Sequence, residues 1–298
     1  MAIPAHSDLL IATVADNMRQ YTKREVNQAT NARELMAHLA HASSQATIGM
    51  LDTGLVNCDV TKQDVRNADA IFGSSIAALK GKTHKLTSTR ASAVVAPRVT
   101  QAQQILAVDI FFVKSLPFLL GELIPLALCV PLKNRSAAIV ANGIRSFINT
   151  AKSRDFECVQ LRTDGESAIA LMKDELNGLG VVVDTCGPGQ HVPSIERKIQ
   201  DVKTIVRAHV NTLPYVMTRL LLTMCVLFCI SRMNMQPSST STSNISPLEQ
   251  FTGRKINAVT DLRVQFGDYL QATVPTPDNS MRSRTQVHST TSDRQSDW

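Results

Sequence analysis

One acidic residue lies in the middle of an otherwise apolar run of this chain. Residues 105 to 113 read ILAVDIFFV, and Asp109 is the acid. A short continuous apolar run of this composition is typical of a central strand in a sheet. A carboxylate inside such a strand is costly unless it is paired or bound to a metal ion. The run therefore predicts a buried strand that carries a functional carboxylate.

The pattern of apolar residues changes along the chain. Residues 8 to 80 have helical periodicity, with Gly54 and Gly73 as breaks. From residue 105 strand and helix signals mix, and a strand ending in RTDGES is followed by a helix, the short buried strand VVVD and two more helices. Strands that come first and then alternate with helices predict an α/β fold, with a mixed sheet flanked by helices.

These changes divide the chain into six expected regions. They are an N-terminal helical region at 1–80, a basic linker at 81–100, the α/β core at 101–236, a low-complexity linker at 237–247, a small β-rich C-terminal unit at 248–276, and a disordered tail at 277–298.

Composition limits the classes of protein that remain. A chain of 298 residues with 44% hydrophobic content can bury a sizeable core. The net charge of +6 is modest, but residues 80 to 98 contain five Lys or Arg and no acid. That Ser/Thr-rich stretch could lie along phosphates, and a solvated hinge without a ligand is an equally favoured alternative.

Neither secretion nor membrane insertion is expected. The N-terminus has no basic segment ahead of its apolar run, so we expect an intracellular protein with six reduced cysteines. The most apolar segment, LLLTMCVLFCI at 220 to 230, is too short to cross a bilayer and predicts a buried helix.

A second acid lies at the start of a predicted helix, in GPGQHVPSIERKIQDVKTIVRAHV at 187 to 210. Ser194 is the expected N-cap, which puts Glu196 in the first turn. The helical spacing gives two faces: a buried stripe of Ile195, Ile199, Val202 and Val206, and beside it a polar face of Glu196, Gln200, Lys203 and Arg207. An acid that merely complements the helix dipole is the simpler interpretation of Glu196 taken alone.

A third acid, Asp164, ends the strand CVQLRTD, where Asp-Gly could also be only a turn signal. Two strand-borne aspartates and a helix-borne glutamate together describe a site for hard divalent cations. Two such ions can hold the attacking and leaving oxygens of a phosphoryl displacement. Lys203 and Arg207 would then point at DNA phosphates.

In their order, the segments VDIFF, RTDGES and GPGQHVPSIERKIQ closely resemble the catalytic core of copia-like retroelement integrases. The resemblance runs from about Arg24 to about Thr285 and includes flanking segments such as SPLEQFTGRKINAVTDLRVQFGDYLQA. It implies an RNase H-like fold for residues 101–236. It also implies that Asp109, Asp164 and Glu196 are the catalytic residues and hold two Mg²⁺ or Mn²⁺ ions.

The implied activity is polynucleotidyl transfer, in which water cuts near an end of the element's DNA and the freed hydroxyl attacks target DNA. The resemblance implies DNA as partner, a homo-oligomer and a nuclear location, and it matches Lys203 to a position that contacts DNA ends. The expected DNA-binding set is Lys203, Arg207, Lys198, Lys80, Lys82 and Lys85.

Two features depart from the family's pattern. Thirty-one residues separate Asp164 from Glu196, fewer than the family's spacing, and the TCGPGQHVPS loop can absorb the difference. The amino-terminal zinc pattern is also missing, because His38 and His41 are followed by Cys58 without a second cysteine near it. A closed zinc site needs four ligands, so no zinc is expected.

Two other functions remain open at this point. The chain could be a non-catalytic, nucleic-acid-binding remnant of a retroelement polyprotein, or an RNase H-like metal-dependent nuclease that cuts without joining. Glu166, Asp184 and His191 rank as loop or supporting residues in any of these functions.

Overall fold

The computed structural model describes residues 13–82, 103–123, 126–164, 169, 173–178, 180–185, 193–237, 245–273 and 285–289. The first of these ranges is helical. Its helices are α1 (Val14–Met18), α2 (Lys23–His38), α3 (Ser44–Thr53), α4 (Lys62–Phe72) and α5 (Ile76–Lys82). Thr22 and Thr61 close capping boxes at the starts of α2 and α4. Gly54 and Gly73 end α3 and α4 with positive φ, so both predicted breaks are confirmed.

Five strands form the central sheet. They are β1 (Gln103–Val113), β2 (Leu116–Leu123), β3 (Leu126–Pro131), β4 (Glu157–Thr163) and β5 (Val182–Thr185), in the order β3-β2-β1-β4-β5. The first three strands are antiparallel neighbours, whereas β4 and β5 run parallel to β1. Among the described residues, helix α6 (Ala137–Lys152) precedes β4 and helix α7 (Lys173–Gly178) precedes β5. This is an RNase H-like mixed sheet flanked by helices, which confirms the predicted fold class.

The sheet has a different layer of helices on each face. On one face, here called the α6 face, Val140, Ile144 and Phe147 of α6 pack in one apolar cluster with Leu106 and Val108 of β1. The other face is covered by α8 (Pro193–Thr212) and α9 (Arg219–Asn234) and is here called the α8 face. Because side chains alternate along a strand, β1 contributes to both clusters.

The α8 face contains the predicted helical stripe. Ile195, Ile199, Val202 and Val206 are all buried there, as predicted. The prediction of Ser194 as the N-cap is wrong, because the helix already includes Pro193, whose fixed φ suits a first turn. The apolar segment at 220 to 230 lies within α9, which confirms it as a buried helix. In the part of the chain that the structure describes, no helix is long and apolar enough to cross a membrane.

The N-terminal helices pack on the core. Gln236 Nε2 donates a hydrogen bond to the Leu39 carbonyl at 2.7 Å. Gly81 of α5 lies so close to α8 that a Cβ there would be 2.7 Å from the Thr204 carbonyl oxygen. Since α5 extends to residue 82, the first two residues of the predicted basic linker are helical, and residues 83–102 lie outside the described part.

The C-terminal region is less β-rich than predicted. It contains α10 (Pro247–Thr252), α11 (Ala258–Asp261) and the antiparallel strands β6 (Tyr269–Thr273) and β7 (Thr285–Ser289). Strand β7 lies within 277–298, where a disordered tail is predicted. The short helices begin at capping residues; the Ser246 side chain, for example, accepts a hydrogen bond from the Glu249 amide. Helices this short leave little periodicity in the sequence.

The predicted buried strand VVVD is an edge strand. β5 is the last strand in the sheet order and pairs with β4. Val183 is 8% exposed whereas Val182 is 62% exposed. An apolar run of this length does not distinguish a central strand from an edge strand.

Candidate catalytic site

The register of two neighbouring parallel strands indicates that the two predicted aspartates lie level, Asp109 within β1 and Asp164 directly after β4. The last pairs of β1 with β4 are Leu106 with Leu161 and Ala107 with Arg162. Both pairs are offset by 55 residues (161 − 106 and 162 − 107), which is also the separation of Asp109 from Asp164. Cross-strand partners point to the same face. Asp109 therefore lies between Ala107 and Phe111 on the α8 face, with Asp164 beside it at the end of β4.

The two carboxylates are held differently. Asp109 is half-buried, and its Oδ1 accepts a hydrogen bond from the Ile110 amide at 2.6 Å. The Oδ1 atom of Asp164 is buried and accepts no hydrogen bond from the described residues. A buried carboxylate oxygen without a donor is uncommon in proteins, and a cation is one way to satisfy it.

Contacts on one side of α8 determine where Glu196 lies. The Lys198 ammonium lies 3.5 Å from Glu122 Oε1 of β2, and His209 packs edge-on against Phe228 of α9, which lies over β3. Both contacts are on the side of α8 toward β2 and β3. Glu196 precedes Lys198 by two residues, about 200° around the helix. It therefore lies on the opposite side, toward β4 and Asp164, where it is exposed.

The described acids form no closed metal site. Among the described residues, no group of three or more His, Cys, Asp or Glu is arranged to hold a metal ion. The donor set nevertheless suits a hard divalent cation, because it offers carboxylate oxygens from two level strands and one buried oxygen without a partner.

Further charged residues surround the aspartates on this face. Asp184 of β5 is paired with Arg162 of β4, with Nε 3.6 Å from Oδ2, and accepts a hydrogen bond from Gln160 at 2.9 Å. Glu122 is opposite Ala107 on β2 and is 8% exposed. Sequence reasoning ranked Asp184 as a supporting residue and missed Glu122. The signal was available, because Glu122 interrupts the apolar stretch FLLGELIPL as Asp109 interrupts its own run.

The predicted DNA-binding cations do not share one environment. Lys203 and Arg207 are half-buried on the Glu196 side of α8, and Arg207 donates a hydrogen bond to Thr204 at 3.2 Å. Lys80 is exposed on α5, which packs against α8. Lys198 is mostly buried, with 18% of its side chain exposed. Lys82 ends α5, but its side chain lies outside the described part of the chain. The whole residues Lys85, Glu166 and His191 lie outside it as well.

Two histidines and two cysteines of the described part belong to the packing of the protein. His41 lies against His209, with ring centroids 4.9 Å apart, and burial lowers the pKa of both. Cys225 and Cys229 are fully buried in α9 with their Sγ atoms 4.0 Å apart. Such burial is typical of cysteines that pack as small apolar side chains.

Half of this chain is similar to solved structures, whereas no protein-family model and no curated protein matches its sequence. Among the solved structures, the chain is similar to the catalytic core domain of BIV integrase, with 14% identity and a TM-score of 0.39 over 50% of this chain and 93% of that one. It is also similar to the HTLV-2 integrase catalytic core domain in complex with magnesium, with 11% identity and a TM-score of 0.37 over 50% of this chain and 95% of that one.

Proposed function

We propose that the chain is a polynucleotidyl transferase of the retroelement integrase kind, with Asp109, Asp164 and Glu196 as its catalytic residues. The observation that carries the proposal is the level placement of two aspartates on parallel strands below the helix that bears Glu196. Few purely structural roles require two acids side by side on a half-buried sheet surface, because like charges repel there.

The carboxylates would hold Mg²⁺ or Mn²⁺, whose charge stabilises the attacking and leaving oxygens of a phosphodiester when the ions are bound. Asp164 offers its buried Oδ1, Asp109 would lie beside it, and Glu196 would approach from the helix. Lys203 and Arg207 follow Glu196 on the same side of α8. They would keep the DNA backbone against the site and make binding strongly salt-dependent.

We also propose that the chain is copia-like, acts on the ends of the element's DNA, forms a homo-oligomer and has a nuclear location. The proposed organisation is a helical region, an RNase H-like core at 101–236 and a C-terminal unit. The support is the order of the three motifs in the sequence, whose acids lie in β1, directly after β4 and in α8.

A non-catalytic DNA-binding remnant is the second candidate. The observation that favours it is that the three acids, all described, form no ion-binding group. A remnant would retain the basic side of α8 and bind DNA without cutting it.

The test is a joining assay with the whole chain, a short blunt-ended DNA duplex and a supercoiled plasmid, with Mg²⁺ or Mn²⁺. We expect joined products from the wild-type protein and none from Glu196→Gln, with DNA affinity nearly unchanged. Cutting without joining would replace the proposal with a nuclease. Binding without cutting or joining would replace it with a remnant.

A further inference from the structure

An ion pair lies inside the layer between the sheet and α8. Glu122 of β2 is 8% exposed, and its Oε1 lies 3.5 Å from the Lys198 ammonium, with 10% and 18% of the two side chains exposed. The second carboxylate oxygen, Oε2, is buried and accepts no hydrogen bond from the described residues. A buried pair that is incompletely satisfied is a poor source of stability, because desolvation offsets its attraction.

An ion pair between a helix and a sheet can restrict the rotation of the helix about its axis. The apolar stripe of this helix consists of aliphatic side chains, which tolerate small rotations because their contacts have no fixed direction. A charge pair at one side of the helix has a fixed partner and so selects one rotation. Lys198 and Glu196 lie on opposite sides of α8, so the rotation that brings Lys198 to Glu122 also sets the direction of Glu196.

Small errors in that rotation matter for chemistry. Side chains lie about 5 to 6 Å from a helix axis, so a rotation of about 20° would move a carboxylate by about 2 Å. A misplacement of about 1 Å at a catalytic group can cost about a hundredfold in rate.

We propose that Glu122 and Lys198 are positioning residues that fix the rotation of α8 and thereby direct Glu196 toward Asp109 and Asp164. The inference rests on the proposed function for its catalytic consequence. It also gives Lys198 a different role from the predicted DNA contact, because its ammonium group faces a buried acid of the sheet.

The test replaces the pair with apolar side chains of similar size, in the double variant Glu122→Leu/Lys198→Met. Its melting temperature should stay close to that of the wild type, because such replacements are often neutral for stability. Its joining rate should fall about a hundredfold, and the Mg²⁺ concentration for half-maximal rate should rise. Amide hydrogen exchange should increase in residues 197 to 200, whose amides can donate within α8, and stay unchanged in the rest of the core.

Two further proteins make the result interpretable. Asp52→Leu/Lys62→Met removes an ion pair in the N-terminal helices, where the side chains are 39% and 48% exposed, and should leave rate, Mg²⁺ dependence and exchange unchanged. Glu122→Gln keeps the size of the side chain and should reduce the joining rate about tenfold. This single variant provides the test if the double variant does not fold.

A folded double variant with wild-type joining and wild-type exchange would overturn the inference, as would a fully active Glu122→Gln protein if the double variant does not fold. If the wild type does not join DNA, the proposed function fails separately. The exchange measurement then decides alone: faster exchange at 197 to 200 supports the positioning role, and unchanged exchange overturns it.

Discussion

The two faces of the central sheet are built on different principles. The α6 face is an apolar cluster of Ile, Leu, Val and Phe side chains, among which Ile144 and Leu161 are fully buried. On the α8 side, the described buried residues include Glu122, His209, Arg232 and Asn234. Asp109 and Asp164 belong to this side as well. The difference indicates that the α8 face adds buried polar groups to an apolar cluster of its own, and that the proposed chemistry uses only some of these groups.

The largest expected effect is on the α8 face and on activity. Asp164→Asn should reduce joining about a thousandfold, about 4 kcal/mol of transition-state stabilisation, because a neutral amide is a poor ligand for a divalent cation. Folding stability should not fall, since the change removes a partly buried charge. Rates and urea denaturation of both proteins measure the two effects. Asp155→Asn, at an exposed position with φ of 61° that Asn tolerates, is the matched control.

On the α6 face the effects should be reversed. Ile144 is fully buried between α6 and the sheet, so Ile144→Ala should lower the free energy of unfolding by about 3 kcal/mol. The joining rate per folded molecule should stay close to that of the wild type. Val182→Ala, at an exposed edge position, should change stability by less than about 0.5 kcal/mol. A large loss of specific activity in folded Ile144→Ala would remove the distinction between the two faces.

A third prediction concerns a buried polar group of the α8 layer that lies away from the acids. Burial, with His41 and Arg232 nearby, lowers the pKa of His209 to about 3. Below about pH 6.5 the unfolded chain binds a proton at this residue that the folded protein does not bind. Stability should therefore fall by about 2 kcal/mol between pH 7 and pH 5 through this residue alone.

Urea denaturation at pH 8, 7 and 5 measures that dependence. The ring of His209→Phe would lie near Phe228 and Phe266. Between pH 7 and pH 5 this variant should lose about 2 kcal/mol less stability than the wild type. Between pH 8 and 7 the two proteins should behave alike. An identical loss in both proteins at pH 5 would show that His209 is not the group responsible.

The smallest expected effect is at the edge of the α8 face. Lys203→Ala should weaken DNA binding uniformly across sequences and reduce the slope of log affinity against log salt by about one, because one phosphate contact is lost. Stability should change by less than about 0.5 kcal/mol. Lys152→Ala, exposed at the end of α6, should leave the salt slope unchanged, which separates a local contact from general attraction.

Sequence periodicity predicts much of this fold. The helical stripe of α8, the glycine breaks after α3 and α4 and the buried α9 follow from local spacing. The placement of β5 at an edge and the pairing of β6 with β7 depend on contacts between distant segments, which local patterns do not determine.

The candidate site divides in the same way. Asp109 can be found from the sequence because a charge is unusual in an apolar strand. The level register of Asp109 with Asp164, and the pairing of Glu122 with Lys198 from distant segments, emerge only when the strands and α8 are packed. Glu122 carried the same local signal as Asp109, but its partner was not visible in the sequence.

The central claim is that the level aspartates of the α8 face bind a divalent cation. The most direct measurement is the melting temperature of the wild-type chain and of Asp109→Asn/Asp164→Asn, each with increasing Mn²⁺. A cation that binds only the folded protein raises stability with its concentration, so the wild-type melting temperature should rise while that of the double variant stays constant. An equal rise in both proteins, or none in the wild type, would contradict the account.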